Sequence, residues 1–429
     1  MIFIVKQSRF SIQRGEKMET QKVSHLENKW ELTELPNGAC VVSSHALRRG
    51  MGFARNYEIL IAGGKLADVE SPGAALAFAN ALPVFLEQEY GSRVNAGAFS
   101  CTVHHSYFCL NYLHHGRDRH DAKCVELILN AIMHDFPSPK TFTDAPQAEI
   151  RGRRCDTEAF WCWFYSKTIP EQQRLCIPSW TEAMLSWESA PDACESLKNK
   201  LVNPANIMVR SPEPCLHEDL AERISELNSA NQNAEKFACP ESPVYPVYDE
   251  YPMARSAGSK QDMLLFFPLP RHRGTFYKAV LSLYALYGNK GYIKEFSRTE
   301  KLELNPEIHA CFWPYPFAFI RLRTTKSNAA KALALISLAL VKFSELPAPK
   351  KIWYYKEIVE EIARKYAEAG EFLRDEWLSG QTELTGLHKL EVTLENLEYI
   401  QRVYLSEARM GLMHGLPPIP RGESVFDAI

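Results

Sequence analysis

The sequence predicts an α+β protein made of two similar units in tandem, each a mostly antiparallel sheet with helices packed on it. Three observations predict this. A strand-then-helix block at 107–136 has the same internal layout as a block at 317–343, about 210 residues further on. Apolar residues alternate at period two in some segments and at period 3.6 in others, so strands and helices interleave along the chain. Between the halves, Cys239 to Pro252 carries four prolines in fourteen residues, which favours extended backbone and bars a helix. The expected organisation is an N-terminal extension at 1–28, a first domain at 29–230, a Pro-rich linker at 231–256 and a second domain at 257–429.

Each element has its own signal. Trp30 to Val42 alternates about Asn37-Gly38, the strongest short hairpin dipeptide. Tyr57 to Ala62 is a strand that runs into Gly63-Gly64. A helix follows from Ser71, expected as N-cap, and Pro72, through Leu76, Phe78 and Leu82, with Pro83 kinking it or dividing it. Phe99 to Val103 and Tyr107 to Leu113 are strands, and Asp121 to Phe136 is a helix with Val125, Ile128 and Ile132 on one face. In the second half, Asp262 to Pro268 is a strand, Thr275 to Tyr287 a helix, Phe317 to Arg323 a strand and Asn328 to Phe343 a helix. From Trp353 onward the pattern is helical, ending in an irregular tail at Leu416.

Composition excludes several classes. With 49 basic against 52 acidic residues there is no cationic excess to displace counterions, so neither nucleic acid nor a membrane surface is an expected partner. An aromatic content of 11% supplies enough burial for globular cores. The eleven cysteines form no Cys-x-x-Cys pair, which fits reduced, buried thiols in a cytoplasmic protein better than a disulfide frame or a zinc knuckle. No run approaches the roughly 18 apolar residues of a membrane-spanning helix. The apolar start Met1 to Val5 is too short for a secretory signal, and Met18 could equally be the first residue.

Five segments in order carry a resemblance: Leu35 to Val42 around the Asn-Gly turn, Ile59 to Asp68, Gly73 to Leu82, Gly91-Ser92-Arg93-Val94-Asn95-Ala96-Gly97-Ala98-Phe99, and Lys198 to Val209 with its Pro204-Ala205-Asn206. Together they resemble the pitrilysin/insulinase/mitochondrial-processing-peptidase family of inverted zincins, the M16 type, over residues 30–345. The resemblance implies two homologous domains forming a clam-like half-chamber. It also implies a helix bearing His-x-x-Glu-His, whose histidines bind zinc while the glutamate activates water. Registered on Gly73, those three positions hold Leu76, Ala79 and Asn80, and residues 71–90 contain no histidine. No metal ligand, base or cofactor is therefore expected in this chain. By the resemblance, Glu149 and Glu158 fall in the region of the family's last ligand, and a lone carboxylate does not hold zinc.

By the same resemblance, Asn95, Ala96, Gly97, Ala98 and Phe99 lie in a substrate strand that an extended peptide would join. Arg298 is the nearest match to a peptide-holding arginine of the second domain. The implied role is a catalytically inactive subunit of a heterodimeric peptidase. Zinc would sit in a sibling chain, and the peptide could be the leader of a ribosomally made, modified peptide. A peptide-binding homodimer and a core-like structural subunit are the alternatives. His104 and His105 would point to opposite faces of a strand, and His114, His115 and His120 fall in a polar stretch that reads as an exposed connection, so no metal is assigned to the five. Cys155 and Cys162, beside the arginines of 151–154, read as core thiols.

Overall fold

The computed structural model describes residues 31–44, 54–67, 73–104, 106–115, 120–138, 190–227, 236–237, 248–250, 260–302, 304–311, 316–356, 393–406 and 410–416, together with Phe164, Lys167, Thr168, Arg374, Trp377 and Leu378. Glu149, Glu158, Cys155, Cys162 and His105 lie outside these residues.

The first half forms a six-stranded sheet from β1 (Glu31–Glu34), β2 (Cys40–Ser43), β3 (Ala54–Ala62), β4 (Ala96–Val103), β5 (Tyr107–His115) and β6 (Ile207–Ser211), ordered β1-β2-β6-β3-β5-β4. Only β2 and β6 run parallel. Alternation decides the faces. Tyr57, Ile59, Ile61, Phe108, Leu110 and Tyr112 point to one side, into a core shared with α1 (Ala74–Tyr90), α2 (Asp121–Asn130), α3 (Ala190–Leu201) and α4 (His217–Ser225). Leu60, Ala62, Tyr107 and Met208 point to the other side and join the core of the second half.

That half is a five-stranded sheet of β7 (Tyr248–Glu250), β8 (Lys260–Pro268), β9 (Pro306–Cys311), β10 (Phe317–Thr325) and β11 (Gly411–Leu416), ordered β7-β11-β8-β10-β9. It is accompanied by α5 (Arg273–Tyr287), α6 (Tyr292–Thr299), α7 (Ala329–Ser344) and α8 (Leu394–Tyr404). The order β2-β6-β3-β5-β4 maps onto β7-β11-β8-β10-β9 with the parallel pair in the same place, so the tandem repeat read from the sequence is a repeat of topology. The halves also interlock. Helical Phe164 packs its ring against Phe266 and Phe317 of the second sheet. Reciprocally, Arg374 donates to the Tyr107 hydroxyl at 2.9 Å and lies 4.9 Å over its ring.

Three details differ from the sequence reading. Helix α1 begins at Ala74, because Gly73 occupies the cap at φ 94°, a conformation that costs glycine little. It then continues through Pro83 as one element to Tyr90. Residues 411–416, read as part of a helical region, are instead the strand between β7 and β8. Its two glycines conceal it, yet a Cβ at Gly411 would lie 2.1 Å from the Phe266 ring, so the strand needs bare backbone there. Finally, β7 falls inside the Pro-rich 231–256 segment, where it forms an edge of the second sheet.

The edge hairpin of the first sheet is tied down by a histidine. His217, buried at the start of α4, meets Thr33 Oγ1 at 2.9 Å through Nε2 and Ser43 Oγ at 2.8 Å through Nδ1. Burial holds its imidazole below the ordinary 6.5, against the opposing pull of Glu31 and Glu218. The unfolded chain therefore takes up a proton near pH 6.5 that the folded chain resists. Stability from this group is complete above pH 6.5 and is lost as pH falls through the lower folded value. Urea titrations between pH 7.5 and 5 should show this loss, and His217→Gln should flatten that part of the profile. A wild-type profile without a fall below pH 6.5 would contradict the assignment.

Candidate functional site

Helix α1 packs against β4, the strand that ends the first sheet, so the two family-like segments meet at one edge. The helix residues at the zinc-motif positions do not fit a metal. Ala79 is buried, while Leu76 and Asn80 are partly buried. Two of these side chains have no donor atom, and the third presents an amide whose Nδ2 is sealed from solvent without a hydrogen-bond partner. A neutral amide beside two hydrocarbons is a poor zinc ligand. Among the described residues, no group of three His, Cys, Asp or Glu converges as a metal site.

The other half of the site is the backbone of β4. His104 N–H bonds the Tyr107 carbonyl at the hairpin end, and Gly63 N–H bonds the Ser106 carbonyl on the opposite side of β5. In antiparallel pairing this phase propagates two residues at a time. Thr102 and Ser100 therefore exchange bonds with Cys109 and Asn111, whereas Phe99, Cys101 and Val103 direct their N–H and C=O groups away from β5, to the free side. Their side chains turn toward the helix-covered core. Burial pushes the Cys101 thiol far above its usual range, so Cys101 offers backbone and not a nucleophile.

The start of β4 is irregular. Asn95 is exposed at φ 51°, its carbonyl accepting from His115 N–H at 3.0 Å. The pairing register shifts between Ala96 and Ala98, leaving Gly97 in a bulge. The His115 ring lies over it, so that a Cβ at Gly97 would fall 1.8 Å from the ring. Of the five residues that the resemblance singles out, Asn95, Ala96 and Gly97 thus form the irregular start of β4, and Phe99 begins the straight ladder. Arg298 is exposed in the last turn of α6, and among the described residues no hydrogen bond or ion pair joins its side chain to Asn95–Phe99.

The histidine cluster is a correction. His114 is not in an exposed connection: it lies in β5 and is 1% exposed. Its Nδ1 is 2.6 Å from the Tyr112 hydroxyl and its Nε2 is 3.3 Å from Asp121 Oδ1. Asp121, fully buried at the start of α2, accepts from the Tyr57 hydroxyl and from Arg55 Nη1, each at 2.6 Å. The signal was present, since Phe108, Leu110, Tyr112 and His114 alternate onto one face. Of the other histidines, His115 and His120 are exposed and His104 is partly buried.

No family model and no curated relative matches the sequence. Solved structures do match. A protease from Helicobacter pylori is 12% identical with a TM-score of 0.63, covering 92% of this chain and 100% of that one. The inactive domain of an M16 peptidase from Pseudomonas fluorescens is 15% identical with a TM-score of 0.59, covering 91% and 98%. A chain of complex III2 from Candida albicans is 12% identical with a TM-score of 0.58, covering 90% and 95%. These likenesses define the fold: the chain has the two-domain α+β architecture of M16, insulinase-type peptidases.

The helix chemistry can be checked by mutation. A sealed donor without a partner costs about 1–3 kcal/mol, so Asn80→Leu should raise unfolding stability by about 1 kcal/mol in urea titrations. A fall in stability would mean that the amide is satisfied in solution.

Proposed function

We propose that this chain is a catalytically silent M16-type subunit that takes up an extended peptide along β4 and works beside a zinc-bearing sibling chain in the cytoplasm. The observation that carries the reading is a strand edge whose Phe99, Cys101 and Val103 direct backbone groups outward, on the strand against which α1, with Leu76, Ala79 and Asn80 at the motif positions, packs. A peptide strand added there gains main-chain hydrogen bonds, and selection comes from side-chain pockets. With no base or histidine at Leu76, Ala79 and Asn80, bond cleavage would belong to the partner, whose helix would carry His-x-x-Glu-His. Asn95, Ala96, Gly97 and Ala98 would guide the peptide in, and Arg298 is the candidate second-domain contact. The peptide class we favour is the leader of a ribosomally made, modified peptide. Among the described residues no helix is long and apolar enough to cross a membrane, in keeping with this reading.

A second reading, a core-like structural subunit, draws support from the likeness to the complex III2 chain. Proline placement separates the two. In Cys101→Pro the lost N–H faces the free side, so the sheet should persist, as edge strands tolerate. Binding of a fluorescein-labelled, unstructured peptide should weaken about tenfold or more, the cost of a lost hydrogen bond and its neighbours. Ser100→Pro breaks the ladder to Asn111 and should instead lower stability. Equal peptide affinity in wild type and Cys101→Pro would favour the structural role.

Metal analysis gives an independent check. The purified chain should hold no stoichiometric zinc and cleave no peptide alone, while co-purification should recover a sibling with the intact motif. One tightly held zinc per chain would overturn the silent assignment.

A further inference from the structure

Tyr112 has one hydroxyl proton; apart from the weakly accepting Cys124 thiol, two neighbours compete for it. One is the buried carbonyl of Val94, which can only accept, and Tyr112 donates to it in a short hydrogen bond. The other is His114 Nδ1 at 2.6 Å. With the proton committed to Val94, Nδ1 must carry its own hydrogen and donate to the phenol oxygen. Nε2 stands 3.3 Å from Asp121 Oδ1 without a hydrogen bond between them, and Asp121 is itself fixed by Tyr57 and Arg55. The Tyr112 ring also stacks on Phe99 at 5.4 Å, with an interplanar angle of 18°. One tyrosine thus grips β4 twice, by its ring at the first outward-facing ladder residue and by its hydroxyl just before the Asn95 turn.

From this we infer that His114 is a positioning residue for the β4 edge. Acting through Tyr112, it holds the Val94–Asn95 turn and hence the register of the Gly97 bulge at which an added strand must start. It never touches the peptide. The inference deepens the strand-addition reading and rests on it for its consequence in binding, but its structural part is measurable without any peptide.

The experiment compares wild type, Tyr112→Phe, His114→Phe and His114→Asn by hydrogen exchange and by binding of the same labelled, unstructured peptide. Tyr112→Phe keeps the stacked ring and deletes only the hydroxyl. His114→Phe deletes both ring nitrogens, and His114→Asn restores a donor near Nδ1. Exchange at the Ala96 and His115 amides should quicken about tenfold in the first two variants relative to α5, the loss of about one hydrogen bond, and return toward wild type in His114→Asn. Peptide affinity should follow the same order. Should His114→Phe not fold, Tyr112→Phe decides alone. Exchange in Tyr112→Phe that quickens no more at 96 and 115 than in α5 overturns the inference, whatever the peptide does. If wild type binds no peptide while exchange behaves as expected, the strand-addition reading fails and the positioning role stands.

Discussion

The hydrogen-bond phase of β5 is the constraint on which the rest of the first half depends. Each residue of that strand bonds one neighbour or the other, never both. Its even-numbered residues serve β3 and its odd-numbered ones serve β4. The same parity sends Phe108, Leu110, Tyr112 and His114 into the helix-covered core and Tyr107, Cys109 and Asn111 to the opposite face. A slip of one residue would reverse both assignments together, exposing Phe108 and closing the outward groups of Phe99 and Cys101. Core burial and edge chemistry are therefore one decision. The fit of large aromatic side chains between the sheet and α1, such as Phe78 against Phe108 and Phe136, keeps that decision from changing.

Much of this was legible in the sequence, and the exceptions have physical causes. Strands β3, β8 and β10 and helices α5 and α7 could be read because their apolar periodicity is long and uninterrupted. The Asn37-Gly38 turn was legible too: Gly38 sits at φ 86°, and Asn37 adds a bond to the Ile224 carbonyl that no local rule foretells. Strand β7 was hidden because the sequence around it is rich in proline, and β11 because its glycines, one of them passing close over Phe266, are the usual marks of irregular chain. Tertiary context overrode local chemistry at His114 as well. A polar window predicts solvent, but Tyr112 supplies a partner to Nδ1 inside the core.

At the motif helix, the sequence told more than the fold. Leu76, Ala79 and Asn80 lie within one uninterrupted helix, α1, that packs on β4. What decides chemistry there is the identity of three side chains. What the fold adds is position: it shows which edge that helix accompanies, and that the edge begins with a bulge and not with a straight ladder.

The second half repeats the sheet but not its open border. There, Leu269 N–H bonds the Pro316 carbonyl, which by the same alternation leaves Pro306, Ile308 and Ala310 of β9 facing outward. Proline has no N–H to give, and it stands where the first half has Phe99. The remaining borders, β1 and β7, are four residues or shorter. Among the described strands, β4 at 8 residues is thus the longest border, and β9 at 6 carries a proline. The two long borders, β4 and β9, are therefore not interchangeable as places for an added strand: at Pro306 the second lacks the donor that Phe99 keeps.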